Sequence, residues 1–317
     1  VVARTEEAAV AESLHTAVIQ VRDNRTDGAS QLARNVAAAL ERASARVPAS
    51  ASDRLRTIQQ ASQAFAAARP SMAAVANTAA RIWHAGTGAI DSDPASRLRA
   101  IHRAARTLRL DSGNAAERIL RHGRPLLPSA LYALSRSGTV EAVLVSLGKE
   151  QAAAAESPRI VVSESRPGGE GVAAARALAP AGWQVILVPD TACGLFIAEA
   201  AAVVLGADSV RADGSVINKV GSYPLALVAH AAGVPVYVLC ETIKVASPDF
   251  PLHFEEMDPR ALLPDPTPGV TAYNVYFDHT PAELITSIIS ERGPLTRDDI
   301  ARIATDAQTA LAALNAQ

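Results

Sequence analysis

Two cysteines, Cys193 and Cys240, are all that the 317 residues contain, too few for a disulfide framework and without the spacing of metal ligands. A reducing, cytoplasmic setting is therefore expected. Long apolar runs are also missing: none approaches the roughly 18 to 20 residues that a spanning helix needs, although hydrophobic residues make up 49% of the chain. Much of that fraction is alanine, which signals helices packed through small side chains. Residues Val1 to Thr16 mix Arg4, Glu6, Glu7 and Glu12 into their apolar pattern, unlike a secretory leader. Charge of one sign is absent too, since 30 basic residues meet 32 acidic ones for a net −2. With no basic run or aromatic-interleaved patch, nucleic acid has no electrostatic footprint. Neither a membrane nor nucleic acid is an expected partner, and any anionic ligand has to be met locally.

Lysine is the scarcest charged residue. Only Lys149, Lys219 and Lys244 occur among the 30 basic residues, so arginine supplies nearly all the solvated positive charge and each lysine carries more weight as a site candidate.

The texture of the chain divides it into 1–124 and 125–317. From Ala8 to about His122 apolar residues recur at helical spacing, as in Leu32, Val36, Ala39 and Leu40 and again in Leu55, Ile58, Ala61 and Phe65. Breaks fall at Asn24–Gly28, Val47–Ser50, Pro70, Gly86–Pro94 and Asp111–Asn114, where turn and cap residues gather. After Pro125 come short runs rich in β-branched residues: Leu131–Leu134, Ile160–Val162, Val185–Val188, Val203–Leu205 and Val236–Leu239. Helical stretches alternate with them from Gly138 through Leu147, Gly171–Leu178, Ile197–Ala201 and Leu225–Ala232. The expectation is α/β: an N-terminal all-α domain, then a doubly wound parallel sheet covered on both faces. The proline-rich stretch Pro248–Pro268 reads as a solvated crossing or a lid before a last helix pair.

In open α/β sheets ligands bind beyond the carboxyl ends of the strands, so the residues after each strand are the place to look. Ser135-Arg136-Ser137-Gly138-Thr139 offers hydroxyls and backbone donors suited to phosphate, or an ordinary N-cap. Glu164-Ser165-Arg166-Pro167-Gly168-Gly169-Glu170-Gly171 offers a guanidinium and glycines opening a helix, fit for an anion or for a tight turn with Glu170 as a capping acid. Asp190 or Thr191 is expected to cap the next helix, and Cys193 reads as packing more readily than as a reactive thiol. Asp208 is either a turn acid or a carboxylate able to shuttle protons. Asp213-Gly214 marks a tight turn leading to Asn218-Lys219, a pair suited to the hydroxyl and phosphate groups of a sugar ester. Glu241-Thr242-Ile243-Lys244 adds a second rare lysine, with Glu241 available as an ion-pair partner for either.

Taken together, Glu164-Ser165-Arg166-Pro167 with Gly171, Gly206-Ala207-Asp208, Asp213 through Gly221, Glu241-Thr242-Ile243-Lys244 and Asn274 through Pro281 form a pattern. It resembles the superfamily that joins the regulatory subunits of eukaryotic translation initiation factor 2B with ribose-1,5-bisphosphate isomerase and methylthioribose-1-phosphate isomerase. The resemblance implies a helical domain, a Rossmann-like domain and a homodimer or higher assembly. It also implies an aldose–ketose isomerase acting on a phosphorylated sugar without metal or nucleotide cofactor, or else a non-catalytic module binding a sugar phosphate or nucleotide monophosphate. By it, Asp208 is the acid–base residue, Asn218, Lys219 and Lys244 bind substrate, and Arg25, Gly28 and Arg69 of the helical half join them. Ser135 stands where the enzymes carry their catalytic cysteine and Leu134 where they carry histidine. A serine hydroxyl stays protonated without a strong neighbouring base, whereas a thiol titrates near pH ~8.5.

Overall fold

The computed structural model describes residues 2–48, 50–87, 93–251 and 254–316. The expected breaks at Val47–Ser50 and Gly86–Pro94 and the stretch Pro248–Pro268 include residues 49, 88–92 and 252–253, which lie outside the described residues, as do the side chains of 2–5.

Five helices come first: α1 (Val2–Asp23), α2 (Ala29–Ala43), α3 (Ala51–Ala68), α4 (Ala73–Thr87) and α5 (Pro94–Gly113). Their inward faces are the ones the spacing picks out, since Leu32, Val36, Ala39 and Leu40 of α2 and Leu55, Ile58 and Phe65 of α3 are all buried. Helix starts follow local chemistry. Asp93 accepts from the Ser96 N–H at 3.0 Å ahead of Pro94, which fills the first helical position where no N–H is needed. One buried guanidinium needs explicit partners: Arg54 makes two 2.8 Å bonds to Glu7 and a third, 2.9 Å, to the Ala43 carbonyl.

The chain continues through α6 (Ala115–Gly123), β1 (Ala130–Leu134), α7 (Gly138–Ala153), β2 (Arg159–Ser163), α8 (Glu170–Leu178), β3 (Gln184–Val188), α9 (Cys193–Phe196) and β4 (Ala202–Leu205). Then follow β5 (Ser209–Val210), β6 (Val216–Lys219), α10 (Ser222–Ala231), β7 (Val236–Leu239), β8 (Phe277–Thr280), β9 (Ser287–Ser290), β10 (Gly293–Leu295) and α11 (Arg297–Asn315). Seven strands form the main sheet in the order β10-β9-β7-β4-β1-β2-β3, parallel except for β10. Strands β1, β2, β4, β7 and β9 are mostly buried, as expected of a sheet covered on both faces, whereas the edge strand β3 buries only Val188 and leaves Leu187 exposed.

Two expectations are corrected. The last helix pair is a single helix, α11, preceded by β8, β9 and β10; Ile288 and Ile289 are β-branched, pair with Val238 and Leu239 of β7, and so extend the sheet. The helix expected at Ile197–Ala201 is the four-residue α9 and a 3-10 turn at Ile197–Glu199. A second, antiparallel sheet of β5, β6 and β8 was not foreseen.

Contacts between Cα atoms group the chain into two compact units that are discontinuous in sequence: 1–114 with 243–251 and 300–317, and 115–242 with 252–299. In the first, α11 is tied to its neighbours by Trp83 Nε1 donating to the Ala313 carbonyl at 3.2 Å and Gln63 to that of Leu314 at 3.1 Å. Among the described residues no helix is long and apolar enough to cross a membrane.

Candidate functional site

The strand order makes the crevice. From β1 the chain winds through β2 to β3 on one side, then returns to place β4 on the other side of β1. Connections therefore depart in opposite directions from the carboxyl ends of β1 and β4, which is where open α/β sheets hold ligands. The residues leaving those two strands are Ser135–Thr139 and Gly206–Asp208.

Gly206 shows how closely these loops meet. A Cβ on it would stand 2.9 Å from Ser137 Cβ, 3.0 Å from Ser137 Oγ and 3.6 Å from Asn218 Oδ1. Only a residue without a side chain lets the hydroxyl and the amide converge there. Ser137 is the N-cap of α7, yet its Oγ lies 3.5 Å from the Val140 N–H, the outer limit of a hydrogen bond. Gly138 and Thr139 form the first turn of this 16-residue helix, whose amino end favours an anion. Arg136 is turned to a different task, held by Glu141 at 2.6 and 3.0 Å.

Ser135 has a left-handed backbone, φ 65°, and so does Ser165 at 63°. The Ser135 N–H donates to Ser165 Oγ at 2.8 Å. Left-handed non-glycine residues are uncommon and gather at functional sites. Among the described residues no base hydrogen-bonds the Ser135 hydroxyl. Asp190 braces the next loop. Its two oxygens accept from the Ser165 and Arg166 N–H groups at 2.7 Å each. This corrects the expected capping role for Asp190, because two backbone donors on the neighbouring loop claim the carboxylate. The Arg166 guanidinium reaches the Pro167 carbonyl at 3.5 Å, and its side chain is exposed.

Asn218 and Lys219 do not follow a strand of the parallel sheet; they end β6, paired with Asp278 and Phe277 of β8. Asn218 donates to Ser222 Oγ at 2.8 Å, and that hydroxyl donates to the Lys219 carbonyl at 2.7 Å. Lys219 Nζ is 2.6 Å from Glu170 Oε1 and stands 3.2 Å above the centre of the Tyr276 ring. The Tyr276 hydroxyl donates to the same Glu170 oxygen. Lys219 therefore pairs with Glu170, from the start of α8, where the sequence offered Glu241. Burial pushes the Lys219 ammonium below its ordinary range, while Glu170, Asp208 and Asp190 oppose the shift. Asp208 donates its backbone N–H to Ile217 at 2.9 Å, which joins the β4 loop to β6.

A glycine opens α10 as well. Gly221 has φ 103°, and its N–H and that of Tyr223 donate to Asp278 Oδ2 at 2.7 and 3.1 Å. Burial raises the Asp278 carboxyl to about 6 against these backbone donors.

A family model, the initiation factor 2 subunit family, matches residues 25–297. The chain belongs to that family. Ribose 1,5-bisphosphate isomerase of Thermococcus kodakarensis is 29% identical over 298 residues, covering 89% of this chain and 92% of that protein. The isomerase of the same name from Archaeoglobus fulgidus is 38% identical over 141 residues, covering 43% of this chain and 45% of that protein, so the chain spans under half the length of this relative. In fold, the translation initiation factor eIF-2B of Pyrococcus horikoshii matches with a TM-score of 0.73 at 26% identity, over 89% of this chain and 96% of that one.

The remaining residues that the family resemblance pointed to lie in the helical unit. Arg69 is buried and donates to the Asn24 carbonyl at 2.5 Å, which Arg25 also approaches, at 3.4 Å. Asn24 Oδ1 accepts from the Thr26 and Asp27 N–H groups at 2.9 and 2.8 Å, an Asx turn that shapes the loop into Gly28, the N-cap of α2. Arg25 also lines an open cavity of about 770 Å³ with Asn24, Thr26 and Arg42. Lys244 is buried in the 3-10 turn Thr242–Lys244, and Asn77 donates to the carbonyls on either side of it, Ile243 and Val245, at 2.8 Å each. Sequence reasoning missed Asp190, Ser222 and Gly206 as organisers, and passed over Tyr276 and Asp278 within a quoted motif. Asp190, Tyr276 and Asp278 act through partners 24 or more residues away, Gly206 through the absence of a side chain, and Ser222 through the turn that brings its hydroxyl back onto Asn218 and Lys219, none of which spacing alone reveals.

Proposed function

We propose that the chain is a sugar-phosphate isomerase of the ribose 1,5-bisphosphate type, working without metal or nucleotide cofactor as a homodimer or higher homo-oligomer. The observation that carries this reading is the meeting of Ser137 Oγ and Asn218 Oδ1 at Gly206, in the crevice between β1 and β4. The amino end of α7, with Ser137, Gly138 and Thr139, suits a phosphate; Asn218, Glu170 and Lys219 suit sugar hydroxyls and a negatively charged oxygen. Arg166 joins this proposed binding set, while a binding role for Arg25, Gly28, Arg69 and Lys244 rests on the family resemblance alone. Asp208 takes the acid–base role, moving a proton as the aldose opens and becomes the ketose. Support for an oligomer comes from apolar residues left exposed on β3, α9 and α10: Leu187, Leu195, Tyr223 and Leu227.

A second reading is a protein that binds the sugar phosphate or a nucleotide monophosphate without converting it. By the family resemblance Ser135 stands where the isomerases carry their cysteine, and among the described residues no base is hydrogen-bonded to its hydroxyl, which favours binding without conversion. Incubation with ribose 1,5-bisphosphate, followed by NMR for the ketose product, separates the two. Conversion that disappears in Asp208→Asn while binding persists supports the enzyme; binding with no conversion by the unaltered protein selects the second reading.

A further inference from the structure

Lysine brought into a protein interior needs compensation, because burial penalises the ammonium. Lys219 finds it from two sides. Glu170 supplies the charge at 2.6 Å, and the face of Tyr276 lies 3.2 Å beneath Nζ, within the range where a ring quadrupole attracts a cation. Tyr276 also acts on the carboxylate, since its hydroxyl donates to Glu170 Oε1, the oxygen that Lys219 uses. That oxygen has two donors, whereas Glu170 Oε2 is buried and, among the described residues, has no hydrogen-bond partner. A buried carboxylate oxygen left unpaired is costly, so the arrangement is incomplete until a donor arrives.

The backbone makes the placement specific. Tyr276 precedes β8, and its carbonyl accepts from the Val220 N–H at 2.9 Å, one residue beyond Lys219. The pairing of Lys219 with Phe277 in the small sheet fixes the offset between ring and ammonium. Phe277 meets the Tyr276 ring edge to face, with centroids 5.5 Å apart and planes at 87°, which restrains the ring's tilt. The charged and titratable groups acting on Lys219 are Glu170 from α8, Asp208 from the β4 loop and Asp190 from the β3 loop, with Tyr276 itself.

We propose that Tyr276 is a positioning residue for this site: its ring holds the Lys219 ammonium and its hydroxyl holds Glu170, leaving Glu170 Oε2 as the open acceptor for a ligand hydroxyl. The part concerning the ligand rests on the sugar-phosphate reading above. The placement of Lys219 does not.

The scarcity of lysine makes a direct test practical. In protein carrying 13Cε-lysine, three ε-methylene signals arise, one each from Lys149, Lys219 and Lys244; Lys149→Arg and Lys219→Arg assign them. The Lys219 protons are expected well upfield of the other two through the ring current. Tyr276→Phe keeps that displacement, and Tyr276→Leu abolishes it while the thermal unfolding midpoint confirms a folded protein. A Lys219 signal at the ordinary position in the unaltered protein, or one unmoved in Tyr276→Leu, overturns the proposal. Calorimetry with ribose 1,5-bisphosphate then reads the consequence: about tenfold weaker binding in Tyr276→Leu, with Tyr276→Phe intermediate. Binding unchanged in both variants refutes the positioning role. If the unaltered protein binds no ribose 1,5-bisphosphate, the functional reading fails, and the lysine spectrum still decides whether Tyr276 sets the place of Lys219.

Discussion

Asp208 and Ser135 stand at the ends of neighbouring strands, β4 and β1, and divide the chemistry unequally. Asp208 carries the carboxylate to which the proposed function gives the acid–base role; Ser135 offers a hydroxyl to which, among the described residues, no base is hydrogen-bonded. In the isomerase reading, Asp208→Asn lowers turnover of ribose 1,5-bisphosphate by roughly 100-fold or more and changes its dissociation constant by less than about threefold, measured by single-turnover kinetics and calorimetry. Ser135→Cys supplies an ionisable group and is expected to raise turnover by about tenfold or more, with little change in binding. Asp278 gives a prediction free of any assumption about substrate. Its carboxyl, ordinarily near 3.8, is raised to about 6 in the folded protein by burial. Between those values the folded state holds a proton that the unfolded chain has released, so the group favours folding at low pH. This contribution fades as pH rises through about 6. Urea unfolding at pH 4.5 and pH 7 is expected to show Asp278→Asn closing this gap, by about 2 kcal/mol for the roughly 1.5 pH units between 4.5 and 6 at ~1.4 kcal/mol per unit. An unchanged pH dependence in the variant contradicts the buried environment assigned to Asp278.

The loops that build the site depend on glycines at close approaches. A Cβ on Gly171 would stand 1.7 Å from the Ser163 carbonyl oxygen, so α8 can start directly beneath β2 only with glycine there. Gly171→Ala is expected to destabilise the protein by about 3 kcal/mol or more, because the obstacle is backbone and cannot rotate away. Gly206→Ala meets the Ser137 side chain instead; a shift of the β1–α7 loop relieves the clash, and the expected outcome is a raised KM with a nearly unaltered melting temperature. At this scale much was legible. The helical faces of α2 and α3 and the strands β1, β2, β3, β4 and β7 followed from spacing and β-branched runs. The small sheet was not, since β5 is two residues long and β6 carries Asn218 and Lys219 where a strand pattern would have apolar residues. Likewise Asn218 and Lys219 were recognisable as site residues by type and scarcity, while the partners that hold them, Glu170 by geometry and Tyr276 by its ring, depend on the meeting of β6, β8 and α8.

Across the whole molecule, the chain shares its fold with the initiation factor 2 subunit family, and the family includes relatives named as isomerases and as translation factors. A homodimer through the exposed apolar residues of β3, α9 and α10 predicts a sedimentation mass near twice 32.9 kDa, with Leu195→Glu shifting it towards the single chain. The most direct test of the central claim is the binding and conversion of ribose 1,5-bisphosphate, followed by calorimetry and by NMR of the sugar. The account predicts binding that Asn218→Ala weakens by about tenfold or more, and ketose formation that requires Asp208. Failure of the unaltered, folded protein to bind this or a related sugar phosphate, or binding indifferent to Asn218, would contradict it.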